Sequence, residues 1–108
     1  MNPSIPIDPR SGAVYSATKM SKATIFESPR VLVGTNAFEP GQRHAPHAHA
    51  GADKIYYILE GEGEFSLADA TFRVRAGEML VAPAGIVHGV TNDTNQRLLV
   101  MIVMAPAP

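Results

Sequence analysis

The hydrophobic pattern of the chain is that of a protein built from short β-strands. Runs rich in β-branched and aromatic residues recur at intervals of about ten residues, and turn-forming residues separate them. These runs are AVYSAT, ATIFE, VLVGTNAF, KIYYILEGEGEFSL, TFRVR, MLVAP, IVHGVT and RLLVMIVM. We find no long stretch with helical spacing. The pattern predicts an all-β sandwich or barrel.

Two local features refine this prediction. A loop at Ala68 and Asp69 sets a hairpin register that places aromatic opposite aromatic and acid opposite base, as cross-strand pairing prefers. The pairs are Phe65 with Phe72, Glu64 with Arg73, and Glu62 with Arg75. The last run, LLVMIVM, is apolar at every position and is therefore predicted to be buried on both faces.

Length and proline content predict one domain preceded by an arm. The 108 residues suit a single core. The first ten residues contain three prolines and show no periodicity. We therefore predict an extended amino-terminal arm over residues 1–11 and one barrel domain over residues 12–108.

Composition excludes several classes of protein. A net charge of −1 and a pI near 6.4 argue against nucleic-acid and acidic-membrane partners. The absence of cysteine excludes disulfides, thiolate metal sites and cysteine nucleophiles. The chain contains neither a secretory leader pattern nor an apolar run long enough to span a bilayer. We expect a cytoplasmic protein.

Three of the four histidines lie together in GQRHAPHAHAG. His47 and His49 are two residues apart, so on a strand both rings would project from one face, and two imidazoles at that separation can meet at one metal ion. His44 is three residues before His47, and regular alternation places it on the opposite face. We therefore expect His44 at the surface or the rim, with an assisting role as an acid or base as the alternative.

A turn is predicted to bring a fourth histidine back towards this pair. Pro83 suits the second position of a β-turn and Gly85 its last position. On the strand that follows, His88 and Val90 share a face. His88 is thus predicted to approach His47 and His49 from a neighbouring strand as a third metal ligand.

These residues resemble the two motifs of the cupin superfamily. The first motif is Gly, five residues, His-x-His, three or four residues, Glu, six residues, Gly. The second is Gly, five residues, Pro-x-Gly, two residues, His, three residues, Asn. Residues 41–61 match the first at Gly41, His47, His49 and Gly61, and residues 77–92 match the second at Gly77, Pro83, Gly85, His88 and Asn92. The resemblance implies a double-stranded β-helix barrel of two antiparallel sheets that holds a divalent transition metal (Fe, Mn, Ni or Zn).

The fourth ligand of the family, a glutamate, is missing here. The spacing to Gly61 puts Lys54 at its position, with Tyr56 and Ile58 next on the inner face. Lys54 is predicted either to anchor an anionic substrate beside a three-histidine metal or to pair with Asp53 or Glu60 without further role. Asp53 is an alternative fourth ligand, and Tyr56 is a candidate donor to substrate.

Three functions follow from the resemblance. The first is a metal-dependent enzyme, dioxygenase-like, that acts on a small oxygenated substrate. The second is a non-catalytic sensor that binds a small ligand. The third is a metal-free barrel of the sugar-isomerase type, in which His47 and His88 exchange protons. Cupins of this size also lead us to expect a homodimer.

Overall fold

Nine strands form two antiparallel sheets in residues 5–108, the part of the chain that the computed structural model describes. The strands are β1 (Ser21–Ser28), β2 (Val31–Phe38), β3 (Arg43–His47), β4 (Asp53–Glu60), β5 (Glu62–Leu67), β6 (Ala70–Arg75), β7 (Met79–Ala82), β8 (His88–Thr91) and β9 (Leu98–Ala105). One sheet has the order β1-β2-β9-β4-β7 and the other β3-β8-β5-β6. This architecture confirms the predicted all-β, double-stranded β-helix. Within residues 5–108 there is no helix long and apolar enough to cross a membrane.

The core lies between the two sheets and follows strand alternation. On β4, Lys54, Tyr56 and Ile58 are buried, whereas the intervening Ile55 and Tyr57 are only partly covered. Alternate residues of a strand face opposite sides of its sheet, so the predicted inner face of β4 is confirmed. β9 lies at the centre of the five-stranded sheet, and five of its eight residues are buried. Its apolar run is therefore buried largely as predicted.

One end of the barrel is closed by apolar side chains and one asparagine. Phe38, Phe65 and Leu98 are fully buried there. The amide nitrogen of the buried Asn92 donates to the carbonyl oxygens of Phe38, Glu39 and Gln96. Asn92 thus ties the start and the end of several strands together, which leaves the opposite end for the polar residues described below.

The hairpin register is confirmed, although its ion pairs differ from the direct cross-strand pairs. Phe65 lies opposite Phe72, Glu64 opposite Arg73, and Glu62 opposite Arg75. Arg73, however, bonds diagonally to Glu62 at 2.8 Å and also to Asp93. An arginine is long enough to reach a diagonal neighbour, so the strand register alone does not fix its partner.

The amino-terminal segment departs from the sequence prediction. Residues 13–18 form no strand, so the interpretation of AVYSAT as a strand was wrong. Side chains from elsewhere hold this segment instead: the guanidinium of Arg97 lies 4.1 Å from the ring centroid of Tyr15, and the Gln42 amide donates to the Ser16 carbonyl. Of the predicted arm over residues 1–11, residues 1–4 lie outside the described part, and residues 5–11 include no strand.

The turn between β4 and β5 generates a test of the fold. Gly61 has φ +79°, and a Cβ there would lie 2.3 Å from the Arg97 carbonyl oxygen, whereas Gly77 has φ +88° with open space around it. We expect Gly61→Ala to lower the free energy of unfolding by about 3 kcal/mol and Gly77→Ala by about 1 kcal/mol, because only the first adds a backbone clash to the unfavourable φ. Urea denaturation measures both, and equal losses would contradict the close approach at Gly61.

Candidate metal centre

Two neighbouring strands bring His47 and His88 face to face. His47 ends β3, and the register of the β3–β8 ladder sets it directly opposite His88. Side chains opposite each other in an antiparallel pair share a face, and the two ring centroids are 4.4 Å apart. Both rings therefore point to one place at the polar end of the barrel.

His49 reaches the same place from an irregular segment. Because β3 ends at His47, strand alternation does not carry on to His49. Its carbonyl oxygen accepts a hydrogen bond from the Gly85 N–H, and its ring centroid lies 5.0 Å from that of His47 and 5.5 Å from that of His88. One potential ligand atom from each of the three histidines lies within 4.8 Å of the others. The structure thus brings the three predicted ligands together.

Backbone carbonyls fix which nitrogen of two of these rings is free. His47 Nδ1 is 2.8 Å from the Ala45 oxygen, and His88 Nδ1 is 2.9 Å from the Ile86 oxygen. A carbonyl oxygen only accepts, so in the neutral ring Nδ1 carries the hydrogen and Nε2 has the lone pair. Nε2 of His88 is buried without a hydrogen-bond partner among the described residues. Such an arrangement is typical of metal-ligating imidazoles, and the donor set fits a divalent transition metal.

The Asp53 side chain hydrogen-bonds to the turn before β8 and does not contact the histidine group. Its side chain is exposed, and its Oδ1 accepts a hydrogen bond from the Ala84 N–H at 2.9 Å. Asp53 lies outside the group of converging histidines, and its role as a fourth metal ligand stays a prediction. The turn that it holds runs from Pro83 to Ile86, where the Ile86 N–H donates to the Pro83 carbonyl. This is one residue later than predicted, because the positive φ of Gly85 suits the third position of a type II turn.

His44 lies inside the site, contrary to the prediction that it faces away. The β3–β8 register shifts between His44 and His47, so β3 carries one extra residue there and both histidines end on the inner face. The His44 ring centroid is 4.3 Å from that of His47, and its Nδ1 is buried without a partner among residues 5–108. Pro46, a residue that within sheets is confined to edges and bulges, is the sequence feature that marks this irregularity.

Lys54 is buried at the polar end without a carboxylate partner. It is 3% exposed, and its ammonium lies 5.0 Å from the ring centroid of Tyr56. The ion pairs found in residues 5–108 do not include it, so the predicted pairing with Asp53 or Glu60 is absent. Burial, with a smaller contribution from Lys22, lowers the pKa of Lys54 to about 8.

A cavity of about 180 Å³, which we call the inner cavity, lies beside His44, His47, His49 and Lys54. Its polar lining consists of Lys22, Asn36, His44, His47, His49 and Lys54. Leu32, Ile102, Met104 and Pro108 complete the walls. The inner cavity is therefore bounded by imidazoles and amines but by no acidic side chain.

Two further polar side chains reach the barrel interior. Asn36 is 2% exposed, and its amide nitrogen has no hydrogen-bond partner among the described residues. Sequence reasoning missed it, although a polar residue within the apolar run VLVGTNAF is the feature that marks it. Tyr56 packs edge-on against Phe65, and its hydroxyl is likewise buried and unpartnered. Burial raises the pKa of Tyr56, so its hydroxyl keeps the proton and remains a donor.

Known proteins place this architecture in a family. The family model described as a cupin domain matches residues 35–104. The chain belongs to the cupin family. Among solved structures, this cupin is similar to TT1209 from Thermus thermophilus, with a TM-score of 0.92 and 38% identity over 95% of this chain and 98% of that one.

Two curated relatives carry functional names. The oxalate-binding protein of Thermotoga maritima is 31% identical over 93 residues, which are 86% of this cupin and 76% of that protein. Acireductone dioxygenase 1 of Vitis vinifera is 36% identical over 70 residues, which are 60% of this cupin and 37% of that enzyme. This cupin therefore matches little more than a third of the dioxygenase.

The histidines of the site generate a prediction about pH. Burial lowers the pKa of His44 to about 3 and also lowers those of His49 and His88. An unfolded histidine has a pKa of about 6.5, so below that pH the unfolded chain binds more protons than the folded one. The free energy of unfolding of the metal-free protein should therefore fall from pH 7 to pH 5, a range mostly above carboxylate titration. His44→Gln should flatten this slope in urea denaturation, and an unchanged slope would contradict a buried neutral His44.

Proposed function

We propose that the protein is a metal-dependent enzyme that acts on a small oxygenated substrate at a centre formed by His47, His49 and His88. The observation that carries this proposal is the convergence of the three rings, two of them with Nε2 freed by a backbone carbonyl. Iron, manganese, nickel and zinc all accept imidazole ligands. The name of the Vitis vinifera relative supports a dioxygenase-like reaction.

A divalent metal held by His47, His49 and His88 would supply Lewis-acid or O₂ chemistry to a substrate oxygen. Side chains of the protein bind the substrate, donate a proton to it and limit access of water. Lys54, with no carboxylate beside it, attracts a negatively charged group of the substrate. Tyr56 retains its hydroxyl proton and is a candidate donor to a substrate oxygen. The apolar side chains of Leu32, Ile102 and Met104 limit the water in the inner cavity.

Metal content provides the first test. We expect about one equivalent of metal per chain in the purified protein. His47→Ala should lower metal affinity at least about 100-fold, because the loss of a metal ligand costs no less than the loss of a residue that hydrogen-bonds to a ligand. His44→Gln is the matched control, since it removes a neighbouring histidine outside the converging group, and it should retain the metal. Elemental analysis with zinc titration measures this. An empty site after reconstitution, or equal losses in both variants, would overturn the proposal.

Turnover separates the enzyme from its alternatives. Oxygen uptake is measured with a panel of diketones, catechols and flavonoids, for the protein loaded in turn with iron, manganese, nickel and zinc. The proposed enzyme should consume oxygen with at least one substrate, and a chelator or the His47→Ala substitution should abolish the reaction. Activity that survives the chelator would favour the metal-free, isomerase-type barrel.

A binding module is the second candidate, and one observation favours it. The Thermotoga maritima relative is named as a protein that binds oxalate, and its name includes no reaction. Saturable binding of a small acid, without turnover under any metal, would support a sensor in place of an enzyme. The homodimer and the cytoplasmic location expected from the sequence stay predictions.

A further inference from the structure

The basic side chains of this protein are concentrated at one opening of the barrel. Within residues 5–108, three of the nine lysines and arginines form ion pairs, which leaves six. Four of those six, Lys19, Lys22, Arg43 and Lys54, line either the inner cavity or the groove that adjoins it. Because the whole chain has a net charge of −1, this concentration is local and does not follow from overall composition.

The groove, which we call the entrance groove, lies between the edge strands β1 and β3. It has a volume of about 500 Å³, and its lining is Lys19, Met20, Ser21, Lys22, Arg43 and His44. Lys22 and His44 also line the inner cavity, so the two spaces adjoin. None of the ten aspartate and glutamate side chains lines either of them. A channel lined by one sign of charge concentrates ligands of the opposite sign.

In the inner cavity, the Asn36 amide nitrogen lacks a hydrogen-bond acceptor, and the Lys54 ammonium lacks a counter-ion among the described residues. Lys22 lies opposite Asn36 in the β1–β2 ladder, so both project towards the same side. Asn36 and Lys54 are both buried. A buried amide without a hydrogen-bond partner is costly, and so is a buried charge without a counter-ion. A ligand with anionic acceptor oxygens would remove both costs.

We propose that the inner cavity binds a small dianion, a dicarboxylate or an enediolate, which enters through the entrance groove and is held by Lys54 and Asn36. This inference deepens the proposed function and rests on it for the contribution of the metal. Three neutral imidazoles would leave both charges of a divalent metal uncompensated, and Lys54 adds a third, while no side chain that lines the inner cavity carries negative charge. These charges favour an anionic ligand. The volume of about 180 Å³ is smaller than the pockets that hold drug-sized molecules, which suits a ligand of few non-hydrogen atoms.

The test compares malonate with malonamide, which have the same number of non-hydrogen atoms but differ in charge. Calorimetric titrations are run on the metal-free and the zinc-loaded protein. We expect malonate to bind at least about tenfold more tightly than malonamide in both forms. Malonate affinity should also fall as ionic strength rises from about 0.01 to about 0.15 M, because the Debye length shrinks from about 30 to about 8 Å.

Variants assign the effect to the proposed residues. Lys54→Met, which keeps the apolar bulk and removes the charge, should lower malonate affinity at least about tenfold and leave malonamide unchanged. Arg75→Met is the matched control, because Arg75 is an exposed cation on β6 that lines neither space, and it should have little effect. Asn36→Asp, which is nearly isosteric, should also weaken malonate selectively.

Lys54→Glu distinguishes failure of this inference from failure of the proposed function. It restores the carboxylate of the family motif, so zinc affinity should rise while malonate affinity falls. Zinc binding with equal affinities for malonate and malonamide would overturn the dianion site alone. Charge-selective malonate binding without zinc binding would overturn the metal centre alone. Equal effects of Lys54→Met and Arg75→Met, or no saturable malonate binding in either form, would also overturn the dianion site.

Discussion

The pairing of β3 with β8 is the constraint on which the site depends. Its register sets His47 opposite His88, and one extra residue in β3 turns His44 to the same face. His44, His47 and His88 thus lie on the same side of the β3–β8 ladder, although His88 is far from the other two in sequence. A shift of this pairing by one residue would reverse every side chain, so the backbone ladder, and not the side chains themselves, determines which rings meet.

The barrel separates stability from chemistry along its axis. At one end Phe38, Phe65 and Leu98 fill the space between the sheets, and Asn92 saturates its hydrogen bonds there. At the other end, β3 ends with His47, β4 begins with Asp53 and Lys54, and β8 begins with His88. Neighbouring strands are hydrogen-bonded along their length, so a register that is fixed at the apolar end also holds at the polar end. Function can therefore tolerate unsatisfied groups at one end while the other end maintains the fold.

Local pattern and family motif predicted most of the fold and the convergence of His47, His49 and His88. The hairpin at Ala68 was predictable because its register depends only on residues near in sequence. The position of His44 was not, because a bulge cancels strand parity and is fixed by the partner strand. Asn36 was missed for a related reason: only the pairing of β1 with β2 places it opposite Lys22 and beside the inner cavity. The ion-pair partners of Arg73, Glu62 and Asp93, likewise depend on how the folded chain places side chains within its reach.

Lys54 shows how an energetic cost can serve binding. Its pKa falls from 10.5 to about 8, which at 1.36 kcal/mol per unit destabilises the folded state by about 3 kcal/mol at neutral pH, below both pKa values. The four buried side-chain atoms without partners in residues 5–108, on Asn36, His44, Tyr56 and His88, add to this cost. An anionic ligand beside the ammonium restores its pKa and satisfies donors at once. Part of the stability missing from the free protein therefore becomes binding energy, since any ligand that binds only the folded state stabilises it.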